Sequence, residues 1–475
     1  MKASNALKWS FIGQITYILL YFVFNVLLSR ILPPSDFGVF AIINTFIIFF
    51  SLIKDFGLGN YLIVKKDVTK ELCDNIFYFN FLFTAVLFLL IYLVSPYIAS
   101  FYSDDRLTIL IRISGLTFII DAFATVPSAM MTRNMNFFGL FIVKTVSVSV
   151  AGVVALIFAS YGWGIYSLVF QIILLSFISC VILFFFYPFR PGINFKVRDW
   201  RSIVKFSLPL FLNQFFQYFS RNSDNLIIGK VFGSYALGIY NRAYTLMQMP
   251  MQNISSVVSG VMLPVLAKSS GDPERKSLVY KRAILGIAFA TFPIMAFVFV
   301  FAKEIILFLY GSAWVEVAEL LMIFSIVGML ETIISPIGTL LMSAGETTKL
   351  FKFSTVVRLF IIAMIIAGSF FSVKGVAVCY LIATVLIFPY TLYYTAKQLE
   401  KPFNFLARPL LEILVVTLIG GVLIYFFKLS MPGMDLTLLL LLAGSLFLCI
   451  YVVTSYFLTR AILKDCFSLI TKKSF

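Results

Sequence analysis

Long apolar runs separated by short polar joints dominate this sequence and limit its fold more than any other feature. A helix needs roughly 20 apolar residues to cross the hydrocarbon core of a bilayer. The chain has 475 residues, of which 61% are hydrophobic and 12% charged, whereas soluble domains carry about 25% charge. The pattern predicts an all-α membrane protein with about 14 transmembrane helices and no room for a soluble catalytic domain.

Lysine and arginine concentrate in alternate joints, and the positive-inside rule places those joints in the cytoplasm together with both termini. Lys2 and Lys8 precede an apolar run of full spanning length, which predicts a first span and not a cleaved signal. The net charge of +16 is therefore mainly a topology signal. Because the cations are dispersed over many short joints, nucleic acid is a poor candidate partner.

Cysteine and histidine usage argues against metal chemistry and cofactors. The five cysteines are scattered without metal-ligand spacing, and the chain has no histidine. The joints are too short to scaffold catalytic acids, so we expect a protein without a cofactor that is not an enzyme.

The two halves of the chain resemble each other. Residues 29–40 align with residues 229–240 at an offset of 200, and Gly164 aligns with Gly375 at an offset of 211. Chance similarity between apolar segments is the alternative. Six spans return the chain to its starting side, so the repeat is expected to be parallel, with a pseudo-two-fold axis along the membrane normal. The predicted organisation is a six-helix bundle (1–187), a cytoplasmic amphipathic linker (188–201), a second six-helix bundle (202–396), and terminal helices 13 and 14 with a cytoplasmic tail (397–475).

Polar side chains form stripes on the first two helices of each half. Amides and hydroxyls on one helix usually join it to a neighbour. Stripes on four helices that correspond by the repeat favour the lining of a central cavity, because charges inside a bilayer are costly and mark functional paths. The residues are Asn25 in span 1, Lys54 and Asp55 in span 2, Asn213, Gln217, Arg221 and Asp224 in span 7, and Arg242, Gln248 and Gln252 in span 8.

Two further charge pairs recur at similar depth in the two halves. Their heights along the helices predict the ion pairs Asp121–Lys144 and Glu331–Arg358. A structural pair that holds each half together and a transport role are both open interpretations.

Several local motifs along the chain carry a family resemblance. The motifs are Asp55-Phe56-Gly57-Leu58-Gly59-Asn60, Lys65-Lys66-Asp67, Pro127, Arg133-Asn134-Met135-Asn136-Phe137, Arg221 with Asp224-Asn225-Leu226-Ile227-Ile228-Gly229-Lys230, and Leu237-Gly238-Ile239-Tyr240-Asn241-Arg242-Ala243-Tyr244. Together they resemble the polysaccharide-exporter branch of the MOP superfamily, the Wzx-type flippases, and most of all the colanic-acid-type lipopolysaccharide exporters. The resemblance covers essentially the whole chain.

The resemblance implies 14 helices, with two six-helix bundles arranged as a V. It also implies a bacterial inner-membrane protein that moves undecaprenyl-diphosphate-linked oligosaccharide to the outer leaflet by alternating access, for lipopolysaccharide or exopolysaccharide assembly. Implied partners are this lipid-linked oligosaccharide, membrane lipid, and the glycan polymerase and glycosyltransferases of the same pathway. Helices 1, 2, 7 and 8 are expected to border the cavity.

With such a substrate, Arg221, Arg242 and Lys54 would bind the diphosphate, because cations pair with phosphate oxygens. The amides Asn25, Asn213, Gln217, Gln248 and Gln252 would contact sugars, while Asp55 and Asp224 would titrate as coupling carboxylates or hold the cations.

An ion-coupled multidrug or small-solute exporter of the same superfamily is the alternative function. Central cations count against it where the cargo is a cationic drug. A membrane glycosyltransferase or glycan polymerase is the third class, and the short outer joints disfavour it.

Overall fold

The computed structural model describes residues 3–55, 58–192, 200–269 and 271–460, and every regular element in these ranges is helical. Thirteen helical stretches are long and apolar enough to cross a bilayer, which confirms the predicted multi-pass, all-α membrane protein. The helices are α1 Ala3–Ile31, α2 Pro34–Asp55, α3 Leu58–Val64, α4 Lys70–Tyr102, α5 Arg106–Arg133, α6 Phe137–Ser160, α7 Ile165–Phe186, α8 Trp200–Lys268, α9 Pro273–Val300, α10 Ala302–Leu309, α11 Val317–Ile334, α12 Ile337–Ser343, α13 Thr347–Ser369, α14 Val373–Gln398, α15 Asn404–Ser430 and α16 Leu436–Leu458.

The helix α8 contains two of the predicted spans in one run of 69 residues. A straight helix of this length would extend about 100 Å, more than three times the hydrocarbon core. Gly233 interrupts it with φ 79° and ψ −179°, a conformation that glycine adopts at low cost. We call the two parts α8a (200–232) and α8b (234–268). With this division the helices provide the 14 predicted crossings.

Side-chain caps fix where several helices begin. Thr69 accepts a hydrogen bond from the Leu72 amide at the start of α4, and Ser372 accepts one from the Gly375 amide at the start of α14. Asp272 caps α9, whose first residue is a proline. These residues satisfy amides that have no partner inside the helix, and they end the apolar runs that the sequence shows.

Two predicted spans are each built from two helices. The span near 315–342 consists of α11 and α12, separated at Ser335 and Pro336, and the span near 37–62 consists of α2 and α3. Pro336 explains the break between α11 and α12, because proline lacks an amide hydrogen and clashes with the preceding helical turn. The short α10 lies between α9 and α11, where the sequence predicts a connection without a helix.

A proline inside α4 is compensated by an arginine on α5. Pro96 cannot donate to the carbonyl of Tyr92, one helical turn earlier. The Arg112 Nε atom donates to that carbonyl oxygen at 3.3 Å and to Ser95 Oγ at 3.0 Å. The Arg112 guanidinium carbon also lies 4.0 Å from the centroid of the Tyr92 ring. Ser95 Oγ also donates to the Tyr92 carbonyl, at 2.9 Å, so the arginine and the serine together replace the helical partner that Pro96 cannot supply.

The chain forms two compact units, residues 1–238 and 239–475. In the first unit α4 packs against α5, α6 against α7, and α5 against α7. In the second unit α9 packs against α11, α13 against α14, and α11 against α14. The same three pairings thus recur in the order expected for a repeat. The terminal helices continue the second unit, with α15 on α9 and α16 on α15.

Candidate transport site

The first unit contains a buried ammonium group inside a spanning segment. Lys54, in the last turn of α2, is only 6% exposed, and its Nζ atom donates to Asp121 Oδ2 on α5 at 2.7 Å. The Asp121 side chain is 31% exposed. A buried lysine keeps its charge only beside a counter-ion, which Asp121 supplies. The pair therefore has a buried cationic side and a more accessible anionic side.

The predicted Asp121–Lys144 ion pair is wrong. Lys144 Nζ instead lies 3.3 Å from Gln14 Oε1 on α1. Equal depth along two helices does not make their side chains face each other. The helix that carries Lys144, α6, packs mainly against α1 and α7, whereas α5 also packs against α2, where Lys54 lies.

Glu331 in the second unit has a different kind of partner. The Tyr380 hydroxyl on α14 donates to Glu331 Oε1 at 2.5 Å. Glu331 lies in the last turn of α11, directly before the break at Pro336. The predicted Glu331–Arg358 ion pair stays a prediction, and Arg358 is half-buried.

An aromatic cluster joins the predicted motif in α8b to Glu331. It consists of Tyr240 and Tyr244 on α8b, Phe324 on α11 and Tyr380 on α14, with neighbouring ring centroids 5.1 to 6.4 Å apart. Edge-to-face and stacked rings at these distances stabilise a fixed packing. The cluster thus fixes the tyrosine whose hydroxyl group contacts Glu331. Sequence reasoning used Tyr240 and Tyr244 only as part of a family motif and gave no signal for Tyr380.

Arg242, a predicted cavity cation, is 7% exposed in this conformation. Its guanidinium carbon lies 5.5 Å from the ring centroid of Tyr310 and 5.7 Å from that of Trp314. Trp314 is fully buried, so the contact is a cation–π interaction away from water, where such contacts are strongest. A role for Arg242 in substrate binding stays a prediction.

The remaining predicted polar residues adopt local contacts where their side chains are described. Asn25 Nδ2 donates to the carbonyl of Tyr21 one turn earlier at 2.9 Å. Gln252 Nε2 donates to Gln248 Oε1 at 2.5 Å, so both amides lie on one face of α8b as predicted. Asp224 is 4% exposed, and its Oδ1 atom accepts from the Asn225 amide at 2.8 Å.

Four predicted site residues have side chains outside the described part of the structure: Asp55, Asn213, Gln217 and Arg221. Their roles in the cavity therefore stay predictions. Among the described residues, no group of three or more cysteine, aspartate or glutamate side chains could hold a metal ion.

The two segments aligned at an offset of 200 meet within the first unit. A β-carbon at Gly38 would lie 1.6 Å from the carbonyl oxygen of Ser234, and one at Gly238 would lie 2.0 Å from the carbonyl oxygen of Pro34. The offset relates Gly38 to Gly238 and Pro34 to Ser234. The contact is thus reciprocal, as a two-fold relation between the segments would produce. We call it the glycine crossing. Sequence reasoning noted these glycines as aligned and gave no signal that they touch.

The family of sequences described as polysaccharide biosynthesis protein matches residues 27–319. The chain belongs to this family. The match includes the predicted motifs from Asp55 to Tyr244, which confirms the resemblance to polysaccharide exporters.

Two curated bacterial proteins have similar sequences. A membrane protein in the cps region of Klebsiella pneumoniae is 27% identical over 80% of this chain and 80% of its own length. The lipopolysaccharide biosynthesis protein WzxC of Escherichia coli strain K12 is 23% identical over 81% of this chain and 79% of its own.

Among solved structures, the lipid II flippase MurJ in an inward closed conformation superposes with a TM-score of 0.77. The two sequences are 16% identical, and the superposition covers 96% of this chain and 99% of MurJ. This member of the polysaccharide biosynthesis family therefore has the MurJ fold over almost its whole length.

Proposed function

We propose that the protein flips undecaprenyl-diphosphate-linked oligosaccharide repeat units across the bacterial inner membrane, from the cytoplasmic to the outer leaflet, by alternating access. Both termini would be cytoplasmic. Glycosyltransferases of the same pathway would supply the substrate, and a glycan polymerase would use the flipped product. Membership of the polysaccharide biosynthesis family and the MurJ fold support this proposal. We assign no catalytic step to the chain.

The observation that carries the proposal is the buried ammonium group of Lys54 beside the more exposed carboxylate of Asp121. A lipid-linked diphosphate brings negative charge into the membrane, where it needs a cation. Lys54 would exchange its Asp121 partner for a phosphate oxygen and so avoid an unpaired buried charge at either stage. Asp121 would hold the ammonium group in place between transport cycles.

The first experiment tests the function. A strain lacking the gene should lose surface glycan and accumulate lipid-linked oligosaccharide in the cytoplasmic leaflet, and the plasmid-borne gene should reverse both effects. Normal leaflet distribution together with increased sensitivity to cationic drugs would refute the flippase and favour a drug exporter.

The second experiment compares a variant of Lys54 that removes the charge with one that keeps it, in that strain. Lys54→Gln should reduce export at least about tenfold, because one charge-assisted hydrogen bond contributes roughly 1.5–3 kcal/mol. Lys54→Arg should retain part of the activity because the charge remains. Lys144→Gln is the matched control, since Lys144 is also a lysine in a spanning helix of the first unit but contacts an amide.

The double variant Lys54→Gln/Asp121→Asn separates transport from folding. It removes both charges, so a purely structural ion pair would be relieved and export restored. We expect normal membrane abundance and no export. Restored export in the double variant would refute a role for Lys54 in substrate binding.

A further inference from the structure

A polar pocket lies in the second unit, and none of the predicted transport residues lines it. It has a volume of about 310 Å³ and is formed where α9 and α13 begin and where α12 and α14 end. Its charged lining consists of Lys276, Lys349, Lys397, Glu346 and Glu400. Three lysines and two glutamates give it one net positive charge. Leu340 and Leu341 form a buried apolar floor.

The charges in this headgroup pocket are only partly matched by one another. Lys349 Nζ donates to Glu346 Oε1 at 2.7 Å. The second carboxylate oxygen, Glu346 Oε2, is buried and has no hydrogen-bond partner. Within the described residues, neither Lys276 nor Lys397 forms an ion pair, although other lysines of this unit do. The pocket therefore presents two solvent-accessible ammonium groups without a carboxylate partner and one buried carboxylate oxygen without a donor.

The surroundings of the headgroup pocket match a lipid–water boundary. Tyr393, about one helical turn before Lys397, is 57% exposed, and Phe351, two residues after Lys349, is 62% exposed. Met342 on α12 is 48% exposed. Exposed aromatic side chains next to lysines are typical of the headgroup level of a membrane. The lysine-rich joints at these helix ends are on the side that the charge distribution predicts to be cytoplasmic.

We propose that this pocket binds the phosphoethanolamine headgroup of a membrane phospholipid. Lys276 and Lys397 bind the phosphate, and Glu346 Oε2 accepts a hydrogen bond from the primary ammonium group. Basic pockets between transmembrane helices on the cytoplasmic side are known to hold lipid headgroups. The volume is at the lower end of the range for small-molecule sites, which suits a headgroup and excludes a glycan of several sugars.

The carboxylate makes the proposal specific for a headgroup that carries both charges. A phosphatidylglycerol headgroup would satisfy the lysines but leave Glu346 Oε2 without a charged donor. Diacylglycerol would satisfy neither. Because the lipid contacts α9, α12, α13 and α14, it would connect four helix ends of the second unit. This inference does not rest on the proposed transport substrate.

The test measures lipid binding to the purified full-length protein in detergent by native mass spectrometry. Dioleoyl phosphatidylethanolamine, dioleoyl phosphatidylglycerol and dioleoylglycerol are titrated separately, with soluble phosphoethanolamine as a fourth ligand. We expect phosphatidylethanolamine to bind at least about tenfold more tightly than phosphatidylglycerol, since one charge-assisted hydrogen bond is lost with the latter. Equal affinities would overturn the proposal. Soluble phosphoethanolamine that binds as tightly as the lipid would instead identify a site for a soluble phosphate ester.

Two variants assign the contacts. Lys276→Gln/Lys397→Gln should weaken phosphatidylethanolamine and phosphatidylglycerol binding alike, by about tenfold or more. Glu346→Gln should weaken only phosphatidylethanolamine and so bring the two affinities together. Lys352→Gln is the control, because Lys352 is an exposed lysine on α13 outside the pocket. Wild-type lipid binding by the double lysine variant, in protein with unchanged thermal stability, would refute the site.

Discussion

The glycine crossing leads to a prediction whose magnitude follows from backbone geometry. In Gly238→Ala, the new methyl group would lie 2.0 Å from the Pro34 carbonyl oxygen, and in Gly38→Ala, 1.6 Å from that of Ser234. A carbon and a carbonyl oxygen approach to about 3.3 Å at the closest. The helices must therefore separate by roughly 1.3 Å and 1.7 Å. Both opposing atoms belong to the main chain, so no rotamer change relieves the clash.

Overpacking of a well-packed site costs about 1–3 kcal/mol, and a backbone clash belongs at the upper end of this range. Alanine also stabilises a helix interior by about 1 kcal/mol relative to glycine. Gly260→Ala is the matched control for this gain, because Gly260 is also in α8b and nothing lies within 4 Å of its β-carbon position. We expect Gly38→Ala and Gly238→Ala to lower the free energy of unfolding by about 2 kcal/mol net, while Gly260→Ala maintains or raises it.

The assay is thermal unfolding of the purified protein in detergent, followed by intrinsic fluorescence, for each single variant and for the double variant. Because the contact is reciprocal, separation of the helices by one methyl group makes space for the other. The double variant should therefore lose clearly less stability than the sum of the two single losses. If Gly238→Ala were as stable as Gly260→Ala, the glycine crossing would not be a tight backbone contact. Strict additivity would refute the reciprocal relation.

Two further predictions concern polar contacts of the first unit. Arg112→Leu should lower the apparent Tm, and it should lower it less in a Pro96→Ala background, where the alanine amide can donate to the Tyr92 carbonyl; equal effects in both backgrounds would contradict the compensation. Asp104→Asn should lower the apparent Tm at neutral pH, because a hydrogen bond from Arg106 lowers the pKa of the Asp104 carboxyl. That contribution is fully present above the unfolded pKa of about 3.9 and is lost as the pH falls through the lowered folded pKa, so the difference in Tm between the two proteins should persist at pH 4 and shrink only below it.

The helices themselves were predictable because the bilayer leaves the backbone few choices. Every amide and carbonyl group in the hydrocarbon core must be satisfied within the segment, so an apolar run of spanning length becomes a helix. Caps such as Thr69 and Asp272 mark where the runs start. The sequence also gives the division of α8, since Gly233 lies between two runs that each suffice for one span.

Side-chain partners were less predictable because apolar periodicity does not specify which helices are neighbours. Asp121 and Lys144 lie at similar depth, yet Asp121 pairs with Lys54 on a different helix. Arg242 carries the strongest functional signal of α8b, and its aromatic partners Tyr310 and Trp314 come from a joint about 70 residues later. Only the packing of the folded chain relates such positions.

Two helices with matching packing partners in their units, α5 and α11, each carry a carboxylate shortly before a proline. Asp121 precedes Pro127 by six residues on α5, and Glu331 precedes Pro336 by five at the end of α11. Asp121 receives the ammonium group of Lys54, whereas Glu331 accepts from the hydroxyl of Tyr380. A lipid-linked oligosaccharide is itself asymmetric, with charge at its diphosphate and neutral hydroxyls along its glycan. Such a substrate needs both a cation and neutral hydrogen-bonding groups, and the Lys54 variants test whether the ammonium group beside Asp121 supplies the cation.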